Sequence, residues 1–318
     1  MKLDDILLSQ ELLIKLLGPQ NKNLKVIEDY FSVKVTYRED EIITNAINNK
    51  SKIEKIIQSM KDLTLKGVTL NERDISYLIA LEDIDNLGEA FDFFLKRKTI
   101  MLSENGKVII PKTKVQAEYV KAIENNDLVF GVGPAGTGKT YLAVLLAVKG
   151  LKEGKYKKII LTRPAVEAGE QLGFLPGDLK EKIDPYLKPL YDALYEFLGV
   201  SHTELLVKNG VIEISPLAYM RGRTYENSFI ILDEAQNTTH SQMKMFLTRL
   251  GFSSKMVCTG DTSQIDLKKH EISGLVEAIK ILRNIDGISV IGFSKLDCVR
   301  NPLVQKIIGA YDNENKDF

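Results

Sequence analysis

One octapeptide limits what this chain can fold into. Gly133-Pro134-Ala135-Gly136-Thr137-Gly138-Lys139-Thr140 stands directly behind an apolar run, residues 127–132, and directly before an apolar-faced helical stretch, residues 141–152. Gly-x-x-x-x-Gly-Lys-Thr between a strand and a helix is the pattern of a phosphate-binding loop. Gly133, Gly136 and Gly138 let backbone N–H groups along the loop wrap a β-phosphate with no Cβ in the way. The helix that follows adds the positive end of its dipole at the same place. Lys139 can reach β- and γ-phosphate oxygens, and the Thr140 hydroxyl can ligate Mg²⁺. The expected ligands are ATP and Mg²⁺.

A strand that feeds such a loop belongs to a parallel sheet, and from Gly106 onward the pattern supplies one. Strands are expected at 127–132, 158–161, 211–214, 229–232, 256–259 and 288–291, with helices at 141–152, 242–250 and 273–283. Alternation of this kind gives an α/β fold whose sheet is covered on both faces, here a P-loop NTPase. Residues 178–198, with Pro176, Pro185 and Pro189 in or beside them, read as an irregular helical insertion.

Hydrolysis needs a second motif, and Phe229-Ile-Ile-Leu-Asp233-Glu234 supplies it. The apolar run buries the strand, so the two carboxylates emerge at its carboxyl edge, where ligands bind in such sheets. Asp233 is the candidate metal-side carboxylate and Glu234 the candidate base for the attacking water. Gln264, in Thr259-Gly-Asp261-Thr-Ser-Gln264, follows another strand and could sit near the γ-phosphate. Gln116 precedes the first core strand by one short helix. Its amide matches the hydrogen-bonding edge of adenine, or it is simply a solvent-exposed helix residue.

The first hundred residues carry no phosphate signature. A helix ending over 12–17 is stopped by Gly18-Pro19, and a second runs over 24–31. Strands at 32–37 and 41–44 flank a polar turn, and Ile53, Ile56, Ile57 and Met60 set a third helix over 51–60. The plan is a small α+β domain (1–95), a connector (96–105) and the ATPase domain (106–318). Lys96-Arg97-Lys98 in the connector is either a solvated linker or a basic arm for nucleic acid. Lys+Arg and Asp+Glu both number 43, so any polyanion contact must come from a local patch. The two cysteines, Cys258 and Cys298, lack metal-ligand spacing, and His202, His240 and His270 share none. With no secretory pattern and no membrane-length apolar run, the expected location is the cytoplasm.

Six stretches in order carry a resemblance: PKTKVQ (111–116), GPAGTGKTYLAV (133–144), LTRPAVEAGEQLGFLPGDL (161–179), AYMRGRT (218–224), FIILDEAQNTT (229–239) and TGDTSQIDL (259–267). Together they resemble the PhoH-like protein family over about residues 106 to 304. That family is similar in its core to superfamily 1 helicases. The resemblance implies a RecA/helicase-like ATPase tied to RNA metabolism and ribosome maturation, and a functional link with an endoribonuclease of rRNA processing. It also implies a KH-like N-terminal domain. A KH module clamps RNA with a Gly-x-x-Gly loop; this chain has Gly18-Pro-Gln-Asn21, without the second glycine. A second departure is Arg300-Asn301, where the family commonly has Arg-His.

Phosphoryl transfer usually recruits an arginine to the γ-phosphate. With room for only one ATPase core, a neighbouring subunit is expected to supply it, which makes a homo-oligomeric ring such as a hexamer natural. Candidates are Arg300, Arg221 and Arg223. Arg300 could instead pair with Asp297, and Arg221 and Arg223 could line an RNA path or hold the domain together. Arg163, at a strand end, could touch a nucleic-acid backbone or ATP phosphates. Two functions follow: an ATPase that remodels RNA or ribonucleoprotein, or a nucleotide-gated protein-assembly switch. A small-molecule kinase shares the loop but needs a lid and an acceptor pocket.

Overall fold

A computed structural model describes residues 10–38, 41–164, 179–268 and 271–298, with positions 304 and 307. Arg300, Asn301, His270, Pro176 and residues 165–178 of the long motif lie outside the described residues. The chain forms two compact units. One holds the residues up to Lys98 with Lys112–Lys114 and those from Leu296 on; the other holds Thr99–Pro111 and Val115–Lys295.

In the first unit, α1 (Gln10–Leu17), a 3-10 turn (Pro19–Asn21) and α2 (Lys22–Phe31) precede the hairpin of β1 (Val35–Arg38) and β2 (Glu41–Thr44). Then come α3 (Lys50–Leu65), α4 (Glu72–Glu82) and α5 (Leu87–Lys96). The helix–turn–helix–strand–strand–helix order is the expected one, and Ile53, Ile56, Ile57 and Met60 are all core residues. Helix α4 starts with a capping box in which Asn71 accepts from the Asp74 amide and Asp74 accepts from the Asn71 amide.

The boundary between the two units, Lys98 to Thr99, falls inside the expected connector 96–105, in which residue 96 ends α5 and residues 101–102 form a strand. Arg97 is no arm: its side chain is 7% exposed and lies 2.7 Å from Asp74, which is 0% exposed. A second nitrogen bonds Asp74 and the Thr69 carbonyl, and the guanidinium stacks on Phe94. Removing one partner of a buried pair leaves an uncompensated charge. Arg97→Ala is therefore expected to destabilise this unit by about 3–5 kcal/mol. An unchanged chemical-denaturation midpoint in that variant would contradict the assignment.

The second unit begins with the ribbon of β3 (Met101–Leu102) and β4 (Val108–Ile109), followed by α6 (Lys114–Asn125). The main sheet comprises β5 (Leu128–Val132), β6 (Lys158–Arg163), β7 (Ile212–Pro216), β8 (Ser228–Leu232), β9 (Lys255–Gly260) and β10 (Ile288–Gly292). All pairs are parallel, in the order β10-β5-β9-β8-β6-β7. Side chains alternate between faces along each strand. Val129, Ile159, Leu161, Phe229, Ile231 and Val257 pack in the cluster shared with α7 (Lys139–Lys152) and α8 (Leu179–Leu198). Leu128, Phe130, Ile160, Ile230, Leu232, Met256 and Cys258 pack in the cluster shared with α10 (His240–Leu247) and α11 (Gly274–Leu282). Burial on both faces is why these strands read as unbroken apolar runs. The fold is the P-loop NTPase α/β fold expected.

Two helical expectations change. The stretch expected to be irregular is a regular helix over its described part: α8 runs from Leu179 to Leu198 unbroken through Pro185 and Pro189. Each proline removes one backbone donor, yet Leu187, Leu190, Leu194, Phe197 and Leu198 form a buried stripe that holds the helix to the core. The sequence reading also passed over α9 (Val200–Lys208). No helix among the described residues is long and apolar enough to cross a membrane.

Candidate active site

The phosphate loop leaves β5 at Val132 and enters α7 at Lys139. Gly133, Gly136 and Gly138 have φ of 143°, 82° and 83°, a backbone region that L side chains rarely adopt. At Gly133 space is equally decisive: a Cβ would stand 2.3 Å from the Phe293 carbonyl oxygen, because the Phe293 amide is hydrogen-bonded to Val132 across β10 and β5. The Lys139 ammonium lies within the loop, donating to the carbonyls of Gly133 and Pro134, both at 2.7 Å, and to the Thr137 hydroxyl at 3.2 Å. Gln116 is buried and donates to the Thr137 carbonyl at 3.0 Å, which overturns the solvent-exposed alternative.

The acidic motif converges on the same point. Thr140 donates to Asp233 Oδ1 at 2.6 Å, and Thr259 donates to that oxygen at 2.8 Å, the two hydroxyls being 3.2 Å apart. Thr259 reaches them because β9 lies between β5 and β8 in the sheet. Glu234, just past the end of β8, takes a left-handed φ of 51°. Such backbone in a non-glycine residue collects at functional sites. One Glu234 oxygen pairs with Arg163 at 3.1 Å and the other accepts from the Gln236 amide at 2.6 Å.

Gln236, 1% exposed, is a hub that the sequence reading missed. Besides Glu234 it donates to the Gln264 carbonyl and accepts from the Asp261 amide. Asp261 in turn accepts from Ser263, from the Gln264 side chain and from the Ala135 amide of the phosphate loop. Burial pushes the Asp261 carboxyl up, but these hydrogen bonds prevail and hold it below the ordinary carboxylate value. Gln264 is thus tied to the loop through Asp261. The only advance signal for Gln236 and Asp261 was their place beside Glu234 and Gln264 in the two motifs.

Of the remaining arginines, Arg223 forms a two-point pair with Glu213, 2.7 Å at one nitrogen, and stacks on Tyr225. Arg221 is exposed on the preceding turn. His240 pairs with Glu277, and Cys258 and Cys298 are not joined in a disulfide. No group of three or more His, Cys, Asp or Glu able to hold a metal occurs among the described residues. Mg²⁺ usually needs none, binding through one or two carboxylates and phosphate oxygens. The donors around Asp233, one carboxylate and two hydroxyls, are of the hard oxygen type that such an ion takes.

Residues 108–312 match the sequence profile described as PhoH-like protein. A PhoH-like protein of Bacillus subtilis is 54% identical over 95% of this chain and 94% of its own. The chain belongs to the PhoH-like family. A PhoH-like protein of Mycobacterium bovis is 48% identical over 95% of this chain and 85% of its own. Protein PhoH of Escherichia coli K12 is 40% identical over 76% and 66%. Among solved structures, a Sulfolobus solfataricus SWI2/SNF2 ATPase core in complex with dsDNA aligns at 14% identity over 58% of this chain and 44% of that one. Its TM-score of 0.34 is too low to speak to function. PhoH-like membership and a phosphate-loop sheet together make this chain a nucleotide-binding ATPase in type.

Proposed function

We propose that this chain binds ATP with Mg²⁺, hydrolyses it, and couples turnover to the remodelling of RNA or ribonucleoprotein. The convergence of Thr140 and Thr259 on one oxygen of Asp233, with Glu234 next in sequence, is the observation that carries the ATPase reading. Backbone amides of residues 133–140 cradle the phosphates, and Lys139 exchanges its carbonyl partners for β- and γ-oxygens. Thr140 and Asp233 would hold Mg²⁺, which when bound would supply positive charge against that developing on the phosphates. Glu234 orients and polarises the attacking water, and Gln264 reports the γ-phosphate through Asp261. Gln116 stays at the loop, where adenine recognition is its proposed role. An arginine from a neighbouring copy, Arg221 or Arg300, completes the charge at the γ-phosphate in a ring such as a hexamer. Arg223 suits that task less well, being already paired with Glu213.

RNA as the partner is supported by the PhoH-like motifs and by Arg163 at the carboxyl end of β6. The test is steady-state ATP hydrolysis with Mg²⁺ across a salt series, with and without single-stranded RNA. RNA is expected to raise the rate several-fold at low salt, with the stimulation fading as salt increases. A rate indifferent to RNA at every salt concentration rules out the RNA coupling and leaves the ATPase standing.

One observation favours the assembly-switch alternative. An apolar groove of about 610 Å³ runs between α10 and α11, lined by Met243, Leu247, Ala278, Ile281, Leu282 and Ile285. The α11 end of it is joined to the site through Ser273, which donates to the Gln236 carbonyl. A protein partner that is retained after nuclease treatment and released on hydrolysis would support that reading.

A further inference from the structure

We infer that Arg163 is a positioning residue that holds Glu234 away from water, and that a phosphodiester strand is the ligand that draws it off. The inference rests on the reading of Glu234 as the base. It goes further by naming what keeps that base idle and what releases it. A carboxylate can polarise water only through an oxygen that faces it. In this conformation both oxygens of Glu234 are engaged, one by Arg163 and one by Gln236.

The two partners differ in how replaceable they are. Gln236 is buried and fixed at three points, by Glu234, by the Gln264 carbonyl and by the Asp261 amide. Arg163 ends β6, the strand paired with β8 in the register Thr162↔Leu232, so it stands beside the acidic motif at the sheet edge. Its side chain is 22% exposed and that of Glu234 is 36% exposed, so the pair sits where a ligand in solution can meet it. An ion pair partly open to solvent is screened and exchanges more readily than a buried one. A guanidinium also matches a phosphate at least as well as a carboxylate, through two parallel N–H···O bonds. A strand phosphate on Arg163 would free the Glu234 oxygen without disturbing the Gln236 contact, coupling strand binding to water activation across a single side chain.

The γ-phosphate of ATP carries the same chemistry, and the experiment separates the two sources. Wild type, Arg163→Ala and Arg163→Lys are compared for ATP turnover with Mg²⁺, with and without single-stranded RNA. If the strand is the releasing ligand, Arg163→Ala raises the basal kcat about fivefold, the size of an exposed ion pair. The KM for ATP stays within about twofold, RNA adds nothing further, and Arg163→Lys keeps a low basal rate. A fall in basal kcat in a folded Arg163→Ala overturns the inference in favour of a contact to ATP itself. So does full RNA stimulation persisting without the arginine.

A second readout needs no hydrolysis. Because coupling is reciprocal, Glu234→Gln should bind fluorescent single-stranded RNA up to about fivefold more tightly than wild type, and Arg163→Ala more weakly. Equal affinities in wild type and Glu234→Gln overturn the inference even if the wild type proves inactive. An inactive wild type that keeps the affinity difference would instead remove the ATPase reading alone.

Discussion

Replacing Glu234 with Gln is expected to lower ATP turnover by about 10²–10⁴-fold, the usual contribution of a positioned general base, with ATP affinity nearly unchanged. The amide keeps the size and shape of the carboxylate but cannot accept a proton from water. The residues proposed to hold the nucleotide keep their contacts: Lys139 donates to loop oxygens, and Thr140 and Thr259 donate to Asp233. Fold stability should change little, because the pair lost with Arg163 is solvent-accessible and worth at most about 1 kcal/mol. Single-turnover hydrolysis and equilibrium binding of a labelled nucleotide separate the two effects. Turnover within tenfold of wild type would move the base elsewhere, with Asp261 the next carboxylate at the loop.

Lys139→Ala is expected to fail one step earlier, at binding. The ammonium donates to three of the loop's own oxygens. A charge-assisted hydrogen bond to phosphate contributes about 1.5–3 kcal/mol, so ATP affinity should fall about 10- to 150-fold. Hydrolysis should fall further, since charge on the phosphates grows towards the transition state and losing one fixed donor commonly removes about 10²–10³ in rate. Isothermal titration with ATP and Mg²⁺ reads the first loss and turnover the second. Full affinity in a folded Lys139→Ala would mean that the backbone amides and metal hold the phosphates unaided. The contrast between the variants is diagnostic: one keeps its nucleotide and stalls, the other lets go.

Legibility followed burial. Strands expected at 127–132, 229–232, 256–259 and 288–291 occur within a residue or two of Leu128–Val132, Ser228–Leu232, Lys255–Gly260 and Ile288–Gly292. A parallel strand covered on both faces has to be apolar throughout, so it announces itself. Helix α8 was harder to read because its prolines spoke for a break, and only packing against the core shows why they are tolerated. Arg97 was misjudged for the opposite reason. A basic triplet looks solvated until a buried Asp74 arrives from 23 residues away.

By itself the sequence determined the chemistry on offer: a glycine loop able to approach phosphate, a lysine and threonine at a helix start, and an acidic pair behind a buried strand. These are local facts, fixed by which backbone angles and side-chain atoms a short segment can present. The tertiary structure alone decided how they are wired. Sheet order β10-β5-β9-β8 does not follow chain order, and it brings Thr259 to Asp233, Asp261 to Ala135 across 126 residues, and Phe293 against Gly133. Contacts between segments so far apart depend on which strands become neighbours. That is set by the packing of both sheet faces at once, which no single window of the chain contains.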